Sequence, residues 1–198
     1  MAGLLLRTGV PPDFLDEDAL EEPAQLRHYR AIFVTEPNVP AAGTAGLLAW
    51  VNDGGHLLTV SNAMVADAFD TPSAALEAAS GIKEPKRQRL ALWSDSSLKI
   101  AANGTLTLDA EGIAFVAYGT HANLSVAPSG QRPSDGSEIL GRFADGGAAL
   151  ARSPVGSHGG SATRFGFMPG ISYWFSGRAA AARVRLSAFC HAAVSLSR

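Results

Sequence analysis

Four side chains of this sequence have the types that a hydrolytic triad needs. Ser61 would be the nucleophile, His121 or His158 the base, and Asp67 the carboxylate that orients the base. Ser61 ends the apolar run Leu57-Leu58-Thr59-Val60, so it stands where a strand gives way to a turn. The commoner role of a serine in that place is to satisfy local backbone groups. His158-Gly159-Gly160 has the composition of an esterase oxyanion loop, yet no serine of the chain has the Gly-x-Ser-x-Gly context that goes with one. His121 and His158 with Asp67 or Asp70 could ligate a metal, but their spacing is not diagnostic. Gly156-Ser157-His158-Gly159-Gly160 lacks the spacing of a phosphate cradle and opens no helix. Asp67 and Asp70 are too close in sequence to nominate as the paired carboxylates of glycoside cleavage. Trp50, Trp93 and Trp174 could act as sugar-stacking platforms, although Trp50 sits on a helical stripe and reads better as core. No cofactor is expected.

The elements that must position these residues begin with one complete unit. Ala31-Ile32-Phe33-Val34 is a short apolar run, as a strand covered on both faces would be. Proline punctuation follows in Glu36-Pro37-Asn38-Val39-Pro40, and Leu47, Leu48, Trp50 and Val51 then recur at helical spacing. Asn52-Asp53-Gly54-Gly55 ends the helix, and Leu57 to Val60 forms a second strand. A strand, a short helix and a second strand predict parallel neighbours.

Around that unit, Leu4 to Val10 reads as the end of a helix, Pro12 to Leu15 as a short strand, and Asp16-Glu17-Asp18 as an acidic turn or helix start. A helix is expected from about Ser73 to Ala79, closed by Gly81, and the basic run Lys83 to Arg89 reads as a polar loop. Asn103-Gly104 between Leu98-Lys99-Ile100 and Thr105 to Leu108 predicts a hairpin turn. Ile113 to Tyr118 is a further strand, and Pro128 to Ser137 a loop. Ile139 to Phe143 and Ala148 to Ala151 flank Asp145-Gly146-Gly147 as a second hairpin, and the glycine-rich Val155 to Ser161 leads to Arg164-Phe165-Gly166-Phe167. The order implies an α/β domain with an antiparallel hairpin annex.

Size and composition narrow the function classes. At 198 residues the chain is long enough for one well-filled domain. The apolar share is 46% and the formal charge −2, with no stripe of aromatic and basic residues, so nucleic acid is not an expected partner. The single cysteine, Cys190, excludes an intrachain disulfide and any zinc site of several cysteines. No apolar run approaches the roughly 20 residues of a membrane span, and Gly3-Leu4-Leu5-Leu6 is too short for a secretory core. A cytoplasmic location is therefore expected, with no membrane partner. From Gly177 to Arg198 the character changes: Arg178, Arg183, Arg185 and Arg198 occur with many alanines and no acid. We divide the chain into a domain over residues 1–176 and a basic tail over 177–198.

Tyr29 to Pro40 followed by Leu48-Ala49-Trp50-Val51-Asn52-Asp53-Gly54-Gly55 resembles the class I glutamine amidotransferase-like superfamily. More narrowly it is similar to the branch that forms the trimerisation domain of bacterial β-galactosidases and to its uncharacterised relatives. Phe143 to Gly147, the glycines around Val155-Gly156, and Phe165 to Tyr173 carry the resemblance through the second half, so that it covers roughly residues 4–175. It implies a flavodoxin-like, three-layer sandwich with a mostly parallel sheet, in which the later hairpin returns to the sheet. The first strand of such a sheet has no counterpart before Leu4. Catalytic members carry a cysteine on a tight turn after a central strand, with histidine and glutamate partners. The equivalent segment here is Val60-Ser61-Asn62-Ala63-Met64, which has no cysteine. The resemblance thus implies a non-catalytic accessory or oligomerisation domain, partnered by copies of itself or by glycosidase-type domains and touching carbohydrate at most at a rim. The alternative is a diverged hydrolase of amides, esters or glycosides acting near Ser61 at the carboxyl ends of the strands.

Overall fold

The computed structural model describes residues 5–6, 11–84, 102–108, 113–118, 122–126, 136–143 and 145–171. Two short helices, α1 (Glu17–Leu20) and α2 (Pro23–Leu26), lead into β1 (Ala31–Val34). Helix α3 (Ala41–Asn52) connects β1 to β2 (His56–Thr59), and α4 (Ala75–Ser80) runs into β3 (Ile82–Lys83). The remaining strands are β4 (Ala102–Leu108), β5 (Ile113–Tyr118), β6 (Ser125–Val126), β7 (Glu138–Phe143), β8 (Ala148–Val155) and β9 (Gly160–Phe165). Among these residues no helix is long and apolar enough to cross a membrane.

The strand–helix–strand unit forms as the sequence implies. β1 and β2 pair in parallel, with Ala31 opposite His56 and Val34 opposite Thr59. The helix between them starts just after Pro40 and stops at Asp53, beyond which Gly54 takes a φ of 109° that a β-carbon would disfavour. β9 then adds in parallel to β2, with His56 opposite Ser161 and Thr59 opposite Arg164. The main sheet has the order β1-β2-β9-β8-β7-β4-β5. The expected parallel pairing holds for β1, β2 and β9. From β9 onward β8, β7, β4 and β5 all pair antiparallel. The hairpins therefore extend the same sheet instead of standing beside it, and a mixed α/β domain is the result. β3 and β6 form a separate antiparallel pair.

One face of the parallel part is covered by the helices. Ile32, Val34, Leu57 and Ala162 share a core cluster with Leu26 of α2, Leu47, Trp50 and Val51 of α3, and Leu76 of α4. Alternate residues of each strand point to one side, so Thr59, Ser61 and Arg164 face the same way as this core. Ile82 and Leu124 pack with Ala148 and Ala151 of β8, which lays the β3–β6 pair across the sheet beside that core.

Two readings differ from the sequence analysis and a third is realised only briefly. Pro12 to Leu15 forms no strand. Asn103-Gly104 is not a turn: both residues lie within β4, and the register against β5 slips between Ala102 and Thr105, so the dipeptide is absorbed as a strand irregularity. The Asp16–Asp18 segment does start a helix, but α1 is only four residues long, with the Asp16 carboxylate accepting from the Ala19 N–H at 2.9 Å. The second hairpin forms as expected between β7 and β8, while residues 85–101, His121, Trp93 and the segment 172–198 with Trp174 and Cys190 lie outside the described residues.

Candidate functional site

Ser61 follows β2 and opens a tight turn. Asn62 and Met64 in that turn both have left-handed backbones, at φ 63° and 55°. Asparagine tolerates this conformation better than most residues, whereas methionine there indicates that the surroundings enforce it. They do so through a set of backbone bonds: the Ser61 N–H donates to Phe167 O (3.3 Å), Ala63 to Val60 O (3.1 Å), and Met64 to Glu36 O (2.9 Å). The scaffold thus provides the strand–turn geometry that a nucleophile position would use.

What occupies the turn is a buried carboxylate. Ser61 Oγ donates to Glu84 Oε1 at 2.6 Å, and the Asn62 N–H donates to Glu84 Oε1 and Oε2 at 3.3 and 3.1 Å. Arg164 Nη2 donates to Glu84 Oε2 at 3.1 Å, and its Nη1 donates to Ile82 O at 3.1 Å. Ser61, Glu84 and Arg164 are 1%, 3% and 2% exposed. Glu77 of α4 lies 3.7 Å from Arg164 Nη1, and its Oε1 accepts the Glu84 N–H at 3.3 Å. Thr59 Oγ1, in register with Arg164, is buried and has no hydrogen-bond partner among the described residues. Glu84 reaches this position because Gly81, at φ 73°, ends α4 and turns the chain into β3.

This arrangement gives Asp67 and His158 partners other than Ser61, while His121 lies outside the described residues. The Ser61 proton is directed to a carboxylate that is itself paired with arginine, and the serine is sealed from solvent. His158 lies in the β8–β9 hairpin, exposed, with its Nδ1 3.1 Å from Asn52 O at the C-terminal end of α3. That hairpin is at the amino ends of β2 and β9, so His158 and Ser61 are about 20 Å apart along the strands at roughly 3.3 Å per residue. Asp67 serves its own loop: its Oδ1 accepts from the Phe69 and Thr71 N–H groups, both at 2.8 Å. The backbone bond from Thr71, aided by that from Phe69, holds the Asp67 pKa below the ordinary carboxylate value. Asn38 Nδ2 ties the same loop by donating to Asp67 O (2.9 Å) and Asp70 Oδ1 (2.8 Å). Among the described residues no group of three histidine, cysteine or acidic side chains is placed to hold a metal ion.

An open depression of about 430 Å³ lies at the other end of the sheet, lined by Arg27, Tyr29, Arg30, Trp50, Asp53 and His56 together with Gly54 and Gly55. Trp50 is 5% exposed and packs directly over Gly55, where a β-carbon would stand 2.3 Å from the indole ring. The helical-stripe reading of Trp50 as core therefore holds, and its faces are not available for stacking on a sugar. Glu84 and Arg164 were not nominated from the sequence. Arg164 left a usable signal, being the lone charge in a buried, otherwise uncharged strand; Glu84 left none, because it reads as part of a polar loop.

The fold and the site define a mixed α/β domain, built on a parallel β–α–β unit and extended by hairpins. Solved structures with similar folds place this arrangement within larger chains. Gan42B, a GH42 β-galactosidase from G. stearothermophilus, is similar with a TM-score of 0.60 and 13% identity, over 88% of this chain and 24% of its own. The β-galactosidase from Rahnella sp. R3 gives 0.61 and 13%, over 83% of this chain and 23% of its own. The cytoplasmic protein STM3548 from Salmonella typhimurium gives 0.52 and 11%, over 82% of this chain and 72% of its own. At these identities the likeness is one of fold. This chain spans about a quarter of the length of the β-galactosidases it matches. No family model and no curated protein matches.

Proposed function

We propose that this chain is a non-catalytic accessory domain on an amidotransferase-like scaffold, assembling with copies of itself or with neighbouring glycosidase-type domains. The observation that carries the reading is the closed turn after β2, where the Glu84 carboxylate, paired with Arg164, fills the space beside Ser61. Open α/β sheets bind ligands at the carboxyl ends of their strands, and here the position after β2 is filled by the protein's own side chains. The fold's occurrence as about a quarter of β-galactosidase chains supports an accessory role. Phe14 and Phe69, 79% and 89% exposed, offer apolar surface for assembly, and Phe69 stands on a loop fixed by Asp67 and Asn38. Any carbohydrate contact would be at a rim completed by other domains. The alternative, a diverged amide, ester or glycoside hydrolase at Ser61, needs a base that neither His158 nor Asp67 supplies there.

Two measurements test this. Light scattering behind size exclusion, over a wide concentration range, should give an oligomer of constant mass, and a monomer throughout would overturn self-association. Hydrolysis of p-nitrophenyl acetate, p-nitrophenyl β-galactoside and glutamine should not exceed the buffer rate. A rate above it that Ser61→Ala abolishes would overturn the non-catalytic reading.

A further inference from the structure

The Glu84 carboxylate is held as a bound ligand would be. Its donors are Ser61 Oγ, the Asn62 N–H and Arg164 Nη2, which come from the end of β2 and from β9 and are preassembled by the sheet. We propose that these groups form a carboxylate receptor occupied by the chain's own Glu84, and that the receptor binds a free small carboxylate once that side chain is removed. The inference rests on the closed turn described above and is independent of how the domain assembles.

Charge, geometry and size each point to this class of ligand. A guanidinium that is 2% exposed requires an anion, and Glu77, 3.7 Å away, is more distant than Glu84 at 3.1 Å. Donors that reach both oxygens of one planar group match a carboxylate better than a tetrahedral phosphate or sulfate. Replacing glutamate by alanine deletes Cγ, Cδ and the two oxygens, which are the four heavy atoms of acetate. The vacancy is thus acetate-shaped: formate underfills it, and butyrate exceeds it by two methylenes in a packed interior.

The experiment is thermal unfolding of Glu84→Ala at pH 7 in sodium acetate, formate, butyrate, sulfate or chloride at matched ionic strength. In chloride the variant should melt well below the parent. Acetate should raise its midpoint saturably by about 5 °C or more, as a ligand specific for the folded state does. Formate should act more weakly, butyrate and sulfate no more than on the parent, and Glu84→Ala/Arg164→Met should lose the acetate response. If Glu84→Ala does not fold in chloride, recovery of its near-ultraviolet circular dichroism in acetate replaces the midpoint as the readout. A response equal to the parent's, one that follows general salt strength, one that survives removal of Arg164, or no recovery of fold in acetate would each overturn the proposal. Light scattering on the parent tests assembly separately, so either reading can fail without the other.

Discussion

Replacing Arg164 by methionine keeps most of the side-chain volume and removes the only cation within hydrogen-bond distance of Glu84 among the described residues. At 3.1 Å and an effective dielectric near 20 the attraction lost is about 5 kcal/mol, but desolvation of both ions offsets most of it in the folded protein. What the variant suffers is the carboxylate left behind: Glu84 is 3% exposed, and an uncompensated buried charge costs about 3–5 kcal/mol. With a urea slope of about 2 kcal/mol/M, the unfolding midpoint should fall by about 1.5–2.5 M. Glu84→Gln keeps an acceptor for Ser61 and Asn62 while removing the charge, so Arg164→Met/Glu84→Gln strands neither Glu84 nor Arg164, and the loss of the Glu77 ion pair is common to both Arg164→Met proteins and cancels in the cycle. The double variant should therefore be more stable than the sum of the single losses allows, by about 2–3 kcal/mol. Urea unfolding of the four proteins by circular dichroism, with the slope unchanged among them, measures this cycle. Additivity within about 0.5 kcal/mol would refute the reasoning, because it would mean that the two side chains do not share a network.

Two further outcomes follow from other parts of the molecule. Asp67 has a folded-state pKa below its ordinary value of 3.8, so the stability it contributes is present above that value and lost as the pH falls through the lower folded-state value. Asp67→Ala should accordingly be less stable than the parent at neutral pH, with the difference narrowing below pH 3.8; a difference constant from pH 7 to pH 2 would count against the loop bonds as its cause. Gly160→Ala would place a β-carbon 1.7 Å from Val51 O, against backbone that cannot swing aside. It should cost more than about 2 kcal/mol, compared with about 1 kcal/mol or less for Gly146→Asn, where a β-carbon meets nothing within 4 Å and asparagine tolerates the φ of 85°; similar losses at both positions would refute the close packing of the β8–β9 hairpin on α3.

Legibility in the sequence followed the range over which the determining interactions act. β1, α3 and β2 were readable because Ala31–Val34, the stripe from Leu47 to Val51 and the stop at Asp53-Gly54 are local signals that the parallel pairing only has to accept. Asn103-Gly104 misled for the same reason in reverse. It is a strong local turn signal, but β4 pairs with β5 on both sides of the dipeptide, at Ala102 and from Thr105 to Leu108, so the turn preference gave way to the longer ladder and left a register slip. The return of the later hairpin to the sheet was expected from the resemblance alone, since nothing within β8 or β9 says that β9 also pairs with β2.

The candidate site shows where that boundary falls for function. Ser61 was nominated by its place at a strand end, and the structure keeps it at a turn with two left-handed residues, yet its partner is not a histidine. A triad is assembled from residue types, and the chain contains those types at Ser61, Asp67 and His158; the strand directions then put His158 at the opposite end of the sheet. The better signal was Arg164, flanked by Thr163 and Phe165 in a buried strand. A charge on the core face of such a strand obliges a counter-charge from elsewhere, even before its identity is known. Nothing local could identify Glu84 as that partner, because α4, the Gly81 cap and β3 deliver it from 80 residues away in sequence. Once delivered, it completes the hydrogen bonding of the turn and fills the space beside Ser61. A buried arginine in the late strand thus says more about this domain than its serine or histidines do, because Arg164 accounts for why the turn is closed.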